Sequence, residues 1–435
     1  MIRVLDLKTL GLDAVVAALE RTPGGATPEQ HRTVETILRA VRERGDDALL
    51  FTTEKYDGFK ARSAADLRIA PAEFEAAERA LAPATRAALA YAAERIERYH
   101  AAALPKSWRI TDEHGSVLGQ EVRPLERVGV YVPGGRAAYP SSVLMTAVPA
   151  RVAGVPEIVL VTPPASDGRV NPTVLAAARI AGVTEGYRVG GAQAVAALAC
   201  GTPTIRRVDK IVGPGNVYVT LAKSRVFGEV GIDMVAGPSE VVVVADGTAD
   251  PVWIAADLLA QAEHDPMARA VLVTDAAPLI DAVAAALADR LVRLPRRAIA
   301  ADALRDHGAL VLAPTLDEAV ELANRLAPEH LELYVSAPRA LLARVRHAGA
   351  VFVGGLTPEV VGDYVAGPSH VLPTAGTARF SSPLGVEDFV KRTSVIEYST
   401  AGLRAALPHL SVLAEVEGLH GHRAAAGVRT EGGSR

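Results

Sequence analysis

Cysteine is almost missing from this chain: one in 435 residues, Cys200, so no disulfide can close within it. That cysteine ends an Ala-rich helical stretch, 192–200, just before Gly201, where the negative end of the helix dipole disfavours a thiolate. A cysteine nucleophile of the aldehyde-oxidising kind is therefore not expected. Aromatic residues are only 4% and no dense Lys/Arg block occurs, which argues against a nucleic-acid partner. No run of about eighteen apolar residues exists, because Asp257, Asp275 and Asp281 interrupt the candidates, so no membrane span is expected. The opening Met-Ile-Arg-Val-Leu-Asp lacks the apolar core of an export signal. Gly-x-Gly-x-x-Gly, His-Glu-x-x-His and Cys-x-x-Cys are all absent, which removes the common dinucleotide and zinc spacings. With 49% hydrophobic residues and a formal net charge of −4, a globular cytoplasmic protein is the expectation.

What is present centres on residues 232–266. Ile-Asp-Met-Val-Ala-Gly-Pro-Ser-Glu leads into four valines, 241–244, and four consecutive β-branched residues read as a buried strand. Asp250 then serves as an N-cap with Pro251 at the first helical position, and Pro266 stops the helix. On that helix Asp257, Gln261 and His264 fall on one face, amid Ile, Leu and Ala. Such a polar stripe is either a buried hydrogen-bond network or a set of ligands for a metal or substrate.

The length predicts two or three domains. Residues 1–25 read as a loose arm ending in Pro23-Gly-Gly. Thr27-Pro-Glu-Gln30 matches a capping box, followed by Val34, Ile37, Leu38 and Val41 at helical spacing. A charged helix near 72–101 reads as a solvated outer helix. From Val128 short valine-rich strands alternate with Ala-rich helices, the pattern of βα units around parallel sheets. The expected organisation is an arm at 1–25, one α/β domain from 26–127 with 238–380, a second from 128–237, and a helical segment at 381–435. That last segment includes a possible edge strand at 394–398, then a helix interrupted by Pro408 and running to about His422. Residues 429–435 are expected to be disordered.

Several constellations could carry chemistry. Gly190-Gly-Ala-Gln193, Gly213-Pro-Gly-Asn216 and Pro133-Gly-Gly135 could each bring backbone close to a phosphate, or be tight strand-to-helix turns. Ala-Gly-Pro-Ser occurs at 236–239, before Glu240, and again at 366–369, before His370. Pro328-Glu-His-Leu331 puts Glu329 and His330 on a connection between a helix and a strand, where both can turn to one cleft and divide proton transfers. An exposed polar turn is the plainer reading. The candidate metal donors are Gln261, His264, Asp363 and the pair His420/His422.

Taken together, the run 232–264, Tyr131-Val-Pro-Gly-Gly, Val189-Gly-Gly-Ala-Gln, Val212-Gly-Pro-Gly-Asn, Ala327-Pro-Glu-His-Leu and Asp363-Tyr-x-Ala-Gly-Pro-Ser-His resemble the histidinol dehydrogenase family, in the family's order. The resemblance runs from the first helix to His422. It implies a zinc-dependent, NAD-linked oxidation of L-histidinol to L-histidine through an enzyme-held aldehyde, in a homodimer with shared active sites. It also implies a fold of two incomplete Rossmann-like domains with helical end segments. Carried over by position, the zinc ligands are Gln261, His264, Asp363 and His422, the last reaching in from a partner subunit. Glu329 and His330 match the proton-transfer pair and His330 also a substrate contact. Ser239 and Glu417 match further substrate contacts, with the four metal ligands beside the substrate, while Tyr131, Gln193 and Asn216 match positions that hold NAD. Here the chain carries His420-Gly-His422; family register selects His422, but Glu417 and His420 would share a helix face, which leaves His420 open. The competing classes are a metal-dependent hydrolase that uses Glu329 and His330 without NAD, and a bilobal binding protein.

Overall fold

The computed structural model describes residues 2–20, 26–134 and 138–431. Pro23-Gly-Gly, Gly135 and residues 432–435 lie outside the described residues. The chain divides into two compact units, Met1–Ala103 with Leu125–Phe389, and Leu104–Pro124 with Val390–Arg435.

The first unit contains two parallel sheets. One has six strands in the order Arg3–Asp6, Ala309–Leu312, Arg269–Thr274, Glu240–Ala245, His330–Tyr334, Ala350–Val353. The other has five, Glu185–Arg188, Glu157–Thr162, Arg127–Tyr131, Lys210–Val212, Gly231–Ile232. The valine run occupies the middle of the six-stranded sheet. Val241, Val243 and Ala245 face one core with helix Pro251–Ala262, while Val242 and Val244 face another with Val15, Val16 and Leu19. A strand buried on both faces has no polar side to show, hence the unbroken run. Asp250 caps the following helix by accepting from the Val252 N–H at 2.7 Å. The Thr27–Gln30 capping box also forms, with bonds of 2.7 and 3.2 Å.

Two expectations for the N-terminal third need correction. Arg3–Asp6 is not part of a loose arm but an edge strand, paired in parallel with Ala309–Leu312, and Leu12–Leu19 is a helix with a buried apolar face. Val15, Val16 and Leu19 of that helix pack against Val242 and Val244 of the six-stranded sheet, a partner far along the chain that a local reading does not contain. Likewise Val34, Ile37, Leu38 and Val41 do not join the 238–380 half; they pack with Tyr131, Val159 and the helix Gly191–Cys200 around the five-stranded sheet. The charged stretch near 72–101 is two helices, Pro71–Ala80 and Pro83–Ala103, the second burying Leu89, Ala92, Ala93 and Ile96.

The second unit carries a three-stranded antiparallel sheet, Val390–Glu397, Val117–Pro124, Trp108–Thr111, and two helices, Thr400–Val416 and His420–Glu431. The edge strand expected at 394–398 begins earlier and pairs over its whole length. Pro408 sits inside the first helix without ending it; the break falls at Gly418, whose φ is +71°.

Candidate active site

Glu329 and His330 are placed by a left-handed turn. Ala327, with φ +46°, closes helix Leu316–Leu326, and Pro328 prevents the helix from resuming. His330 is then the first residue of its strand rather than a loop residue, opposite Val241 on one side and Ala350 on the other. Both side chains are buried. The Glu240 N–H donates to Glu329 Oε2 at 2.9 Å, and His330 Nδ1 lies 3.0 Å from the Glu240 carbonyl. A carbonyl can only accept, so Nδ1 carries the hydrogen and Nε2 of the neutral ring carries the lone pair. Burial pushes the His330 imidazole below its ordinary range; the Asp363 carboxylate opposes this, while His264 and His370 add to it. Burial, reinforced by the charges of Glu240 and Asp363, raises the Glu329 carboxyl well above the usual range, against hydrogen bonds from the Glu240 N–H and the Ser239 side chain.

The polar stripe resolves into two parts. Asp257 Oδ2 accepts from the Tyr334 hydroxyl at 2.5 Å and belongs to a buried network. Gln261 is fully buried, its Nε2 3.3 Å from His264 Nδ1, and its Oε1 has no hydrogen-bond partner among the described residues. An unpaired buried amide oxygen is costly, and an oxygen-seeking cation is one way to satisfy it. His264 lies two residues beyond the end of helix Pro251–Ala262 and is exposed, which frees its ring from the helix face. Asp363 sits in the short helix Val360–Tyr364, and its carbonyl accepts from His370 Nδ1 at 3.0 Å. His370 Nε2 in turn lies 3.3 Å from Ser142 Oγ, tying the second Ala-Gly-Pro-Ser segment to helix Pro140–Val152. Among the described residues no three His, Cys, Asp or Glu side chains converge as a metal cluster. The first unit thus offers an amide, an imidazole and a carboxylate, donors whose chemistry suits zinc, and of these Gln261 and His264 stand in direct contact. His422 and Glu417 belong to the second unit and are exposed. Because Gly418 separates them, Glu417 and His420 are not on one helix, and the shared-face argument for His420 falls away.

Tyr131 ends strand Arg127–Tyr131, while Gln193 in helix Gly191–Cys200 and Asn216 before helix Val217–Val226 open the helices that follow two other strands of the five-stranded sheet, the edge where open parallel sheets take their ligands. The Gly191 N–H donates to the Tyr131 hydroxyl oxygen at 3.1 Å. Asn216 caps helix Val217–Val226 through the N–H groups of Tyr218 and Val219. Gly213, at φ +115°, lies so close to the chain that a Cβ there would stand 2.1 Å from the Tyr131 carbonyl oxygen. The buried pair Lys223–Asp233 clasps this turn: Lys223 Nζ donates to the Gly213 carbonyl at 2.9 Å, and the Gly213 N–H donates to Asp233 Oδ2 at 2.7 Å.

Four groups escaped the sequence reading. Asp57, from helix Asp46–Asp57, accepts from the Gly190 N–H at 3.0 Å and from Gln193 Nε2 at 3.1 Å, and burial raises its carboxyl. Glu332 and Glu359 are buried carboxyls whose proton affinity burial raises strongly; Glu359 Oε2 lies 3.9 Å from His330 Nδ1. His370 was noted only as the residue after a repeat. A glutamate inside the apolar strand Leu-Glu-Leu-Tyr was the one visible sign among them.

Comparison with known proteins bears on the whole chain. A family model described as histidinol dehydrogenase matches residues 21–430. The chain is 54% identical to a histidinol dehydrogenase of Chromobacterium violaceum over 94% of each protein. It is 50% identical to one of Geobacter sulfurreducens over 98% of this chain and 99% of that protein. A crystal structure of histidinol dehydrogenase from Elizabethkingia anophelis superposes with a TM-score of 0.92 at 34% identity, covering 99% of this chain and 98% of that one.

Proposed function

The chain belongs to the histidinol dehydrogenase family, oxidoreductases of histidine biosynthesis, and on that premise we propose that it oxidises L-histidinol to L-histidine in two NAD-linked steps through an enzyme-held L-histidinaldehyde. The observation that carries the reading is the buried pair at the mouth of the six-stranded sheet: a neutral His330 with its Nε2 lone pair free, beside a carboxyl of raised proton affinity.

Gln261, His264 and Asp363, with His422, would hold a zinc ion, and residues 128–237, through Tyr131, Gln193 and Asn216, would hold NAD; zinc supplies a non-redox template for the substrate's nitrogens and NAD the hydride acceptor. The unpaired Gln261 Oε1 supports the first assignment. His330 Nε2 accepts the hydroxyl proton of the alcohol, and the Glu240 carbonyl keeps the ring oriented while it does so. Glu329 then takes the proton of the water that adds to the aldehyde, its raised proton affinity making its carboxylate a stronger base than an ordinary glutamate. Ser239 and Glu417 contact substrate, Ser239 from beside Glu329.

The metal and substrate are assigned to the 238–380 half. A homodimer with shared sites is supported by the exposed apolar residues of the second unit, among them Ile396, Val412, Leu413 and Val416, and by the exposure of His422. No described helix is long and apolar enough to cross a membrane; the biosynthetic family and the single cysteine favour the cytoplasm. Counting NADH formed per histidinol consumed, with zinc present, tests the reading. Two supports it, and one indicates an alcohol dehydrogenase. Turnover without NAD would point to the hydrolase class, and binding without turnover to a binding protein.

A further inference from the structure

The side chain of the glutamate that ends Ala-Gly-Pro-Ser-Glu has no role in the chemistry above, yet the residue is bonded to both Glu329 and His330. Glu240 is completely buried. Its N–H holds the Glu329 carboxyl and its carbonyl holds the His330 ring. Its Oε1 accepts from the Glu329 N–H at 3.3 Å and from the Ala375 N–H at 3.1 Å, where a non-glycine residue turns with φ +52°. Its Oε2 is paired with the Arg269 guanidinium, also buried. Arg269 in turn donates to the Leu19 carbonyl from its side chain and to the Ser239 carbonyl from its backbone, at 3.1 Å for the latter.

Buried ion pairs are weak devices for stability, because desolvation of both charges offsets their attraction. This one stands where the first residues of strands Glu240–Ala245 and Arg269–Thr274 meet the loop at 374–376 and the N-terminal helix Leu12–Leu19. Fixing residue 240 there fixes, through its own backbone, the direction of the Glu329 carboxyl and the tautomer of His330. We propose that Glu240 and Arg269 are a positioning pair for the reaction, holding Glu329 and His330 in working geometry without touching substrate. The proposal rests on the reading of those two residues as the proton-transfer groups.

A double variant, Glu240→Gln with Arg269→Met, removes both charges together and strands neither. It is expected to keep native far-UV dichroism and to bind histidinol in the absence of NAD within about threefold of wild type. Its kcat per folded chain should drop roughly 10- to 100-fold, since misplacements of about 1 Å reach that size. Arg269→Lys, which keeps the charge but offers fewer donors, should recover most of that loss. Wild-type kcat per folded chain in the double variant overturns the proposal, as does a loss of binding as large as the loss of kcat. If the double variant does not fold, Glu240→Asp decides, since it keeps both charges but draws the carboxylate back from Arg269: a severalfold fall in kcat at unchanged binding supports the pair, and wild-type kcat overturns it. Glu329→Gln and His330→Asn are assayed alongside. Full activity in both overturns the catalytic assignment itself; reduced activity there, with full activity in the charge-pair variant, overturns only the positioning role.

Discussion

A carbonyl oxygen accepts and never donates, and through that asymmetry Glu240 decides which nitrogen of His330 can act as a base. Burial then keeps the ring neutral to lower pH than a free imidazole, whose pKa is about 6.5. The acid limb of the alcohol half-reaction, followed as the rate of the first NADH formed against pH, is therefore expected below about 6.5; a limb above that value contradicts the assignment. Glu329→Gln should slow aldehyde oxidation more than alcohol oxidation, measured separately on the two substrates, because only hydration needs the carboxylate; equal losses would remove the division of labour. His100 offers a test of stability rather than activity. It is buried in helix Pro83–Ala103 with neither ring nitrogen hydrogen-bonded among the described residues, and burial lowers its pKa to about 4, against a small opposing effect of Asp388. The unfolded chain takes up that proton near pH 6.5 and the folded chain does not, so wild-type stability falls as pH drops from there toward about 4. His100→Leu should flatten this fall in a series of melting temperatures.

Elements with strong local signals read directly from the residues: the valine strand, the Asp250 cap and the Thr27 capping box all form where their chemistry asks. Elements that depend on a partner did not. Arg3–Asp6 is a strand because Ala309–Leu312 offers it an open edge, and nothing in four residues announces that. Val117–Pro124 alternates polar and apolar residues weakly and is held between Trp108–Thr111 and Val390–Glu397, the latter far along the chain. Asn216 shows the two kinds of information in one residue. Its cap on helix Val217–Val226 is local, and Asn216→Ala should cost about 1 kcal/mol in denaturant unfolding. Asn216→Ser should keep most of that stability, since serine caps nearly as well. If the amide also meets the dinucleotide, NADH binding by fluorescence titration weakens in both variants; unchanged affinity in both leaves only the cap.

For the whole molecule, the proposed subunit sharing has a direct consequence. Mixed after co-refolding, His422→Ala and Glu329→Gln chains should regain about a quarter of wild-type activity, because half the dimers are mixed and each carries one intact site of two. Absence of any regain argues for sites built within one chain. Composition, periodicity and ordered motifs were enough to determine the α/β class, the parallel sheets and the family, because these follow from short-range patterns that survive without a fold. Only the tertiary structure decided that 26–57 covers the five-stranded sheet, that Asp57 reaches Gly190 and Gln193, and that Glu240 stands between Arg269 and the Glu329–His330 pair. Those contacts join residues up to 136 positions apart. Bonds of that reach depend on where packed strands and helices bring their ends together, which no window of sequence contains.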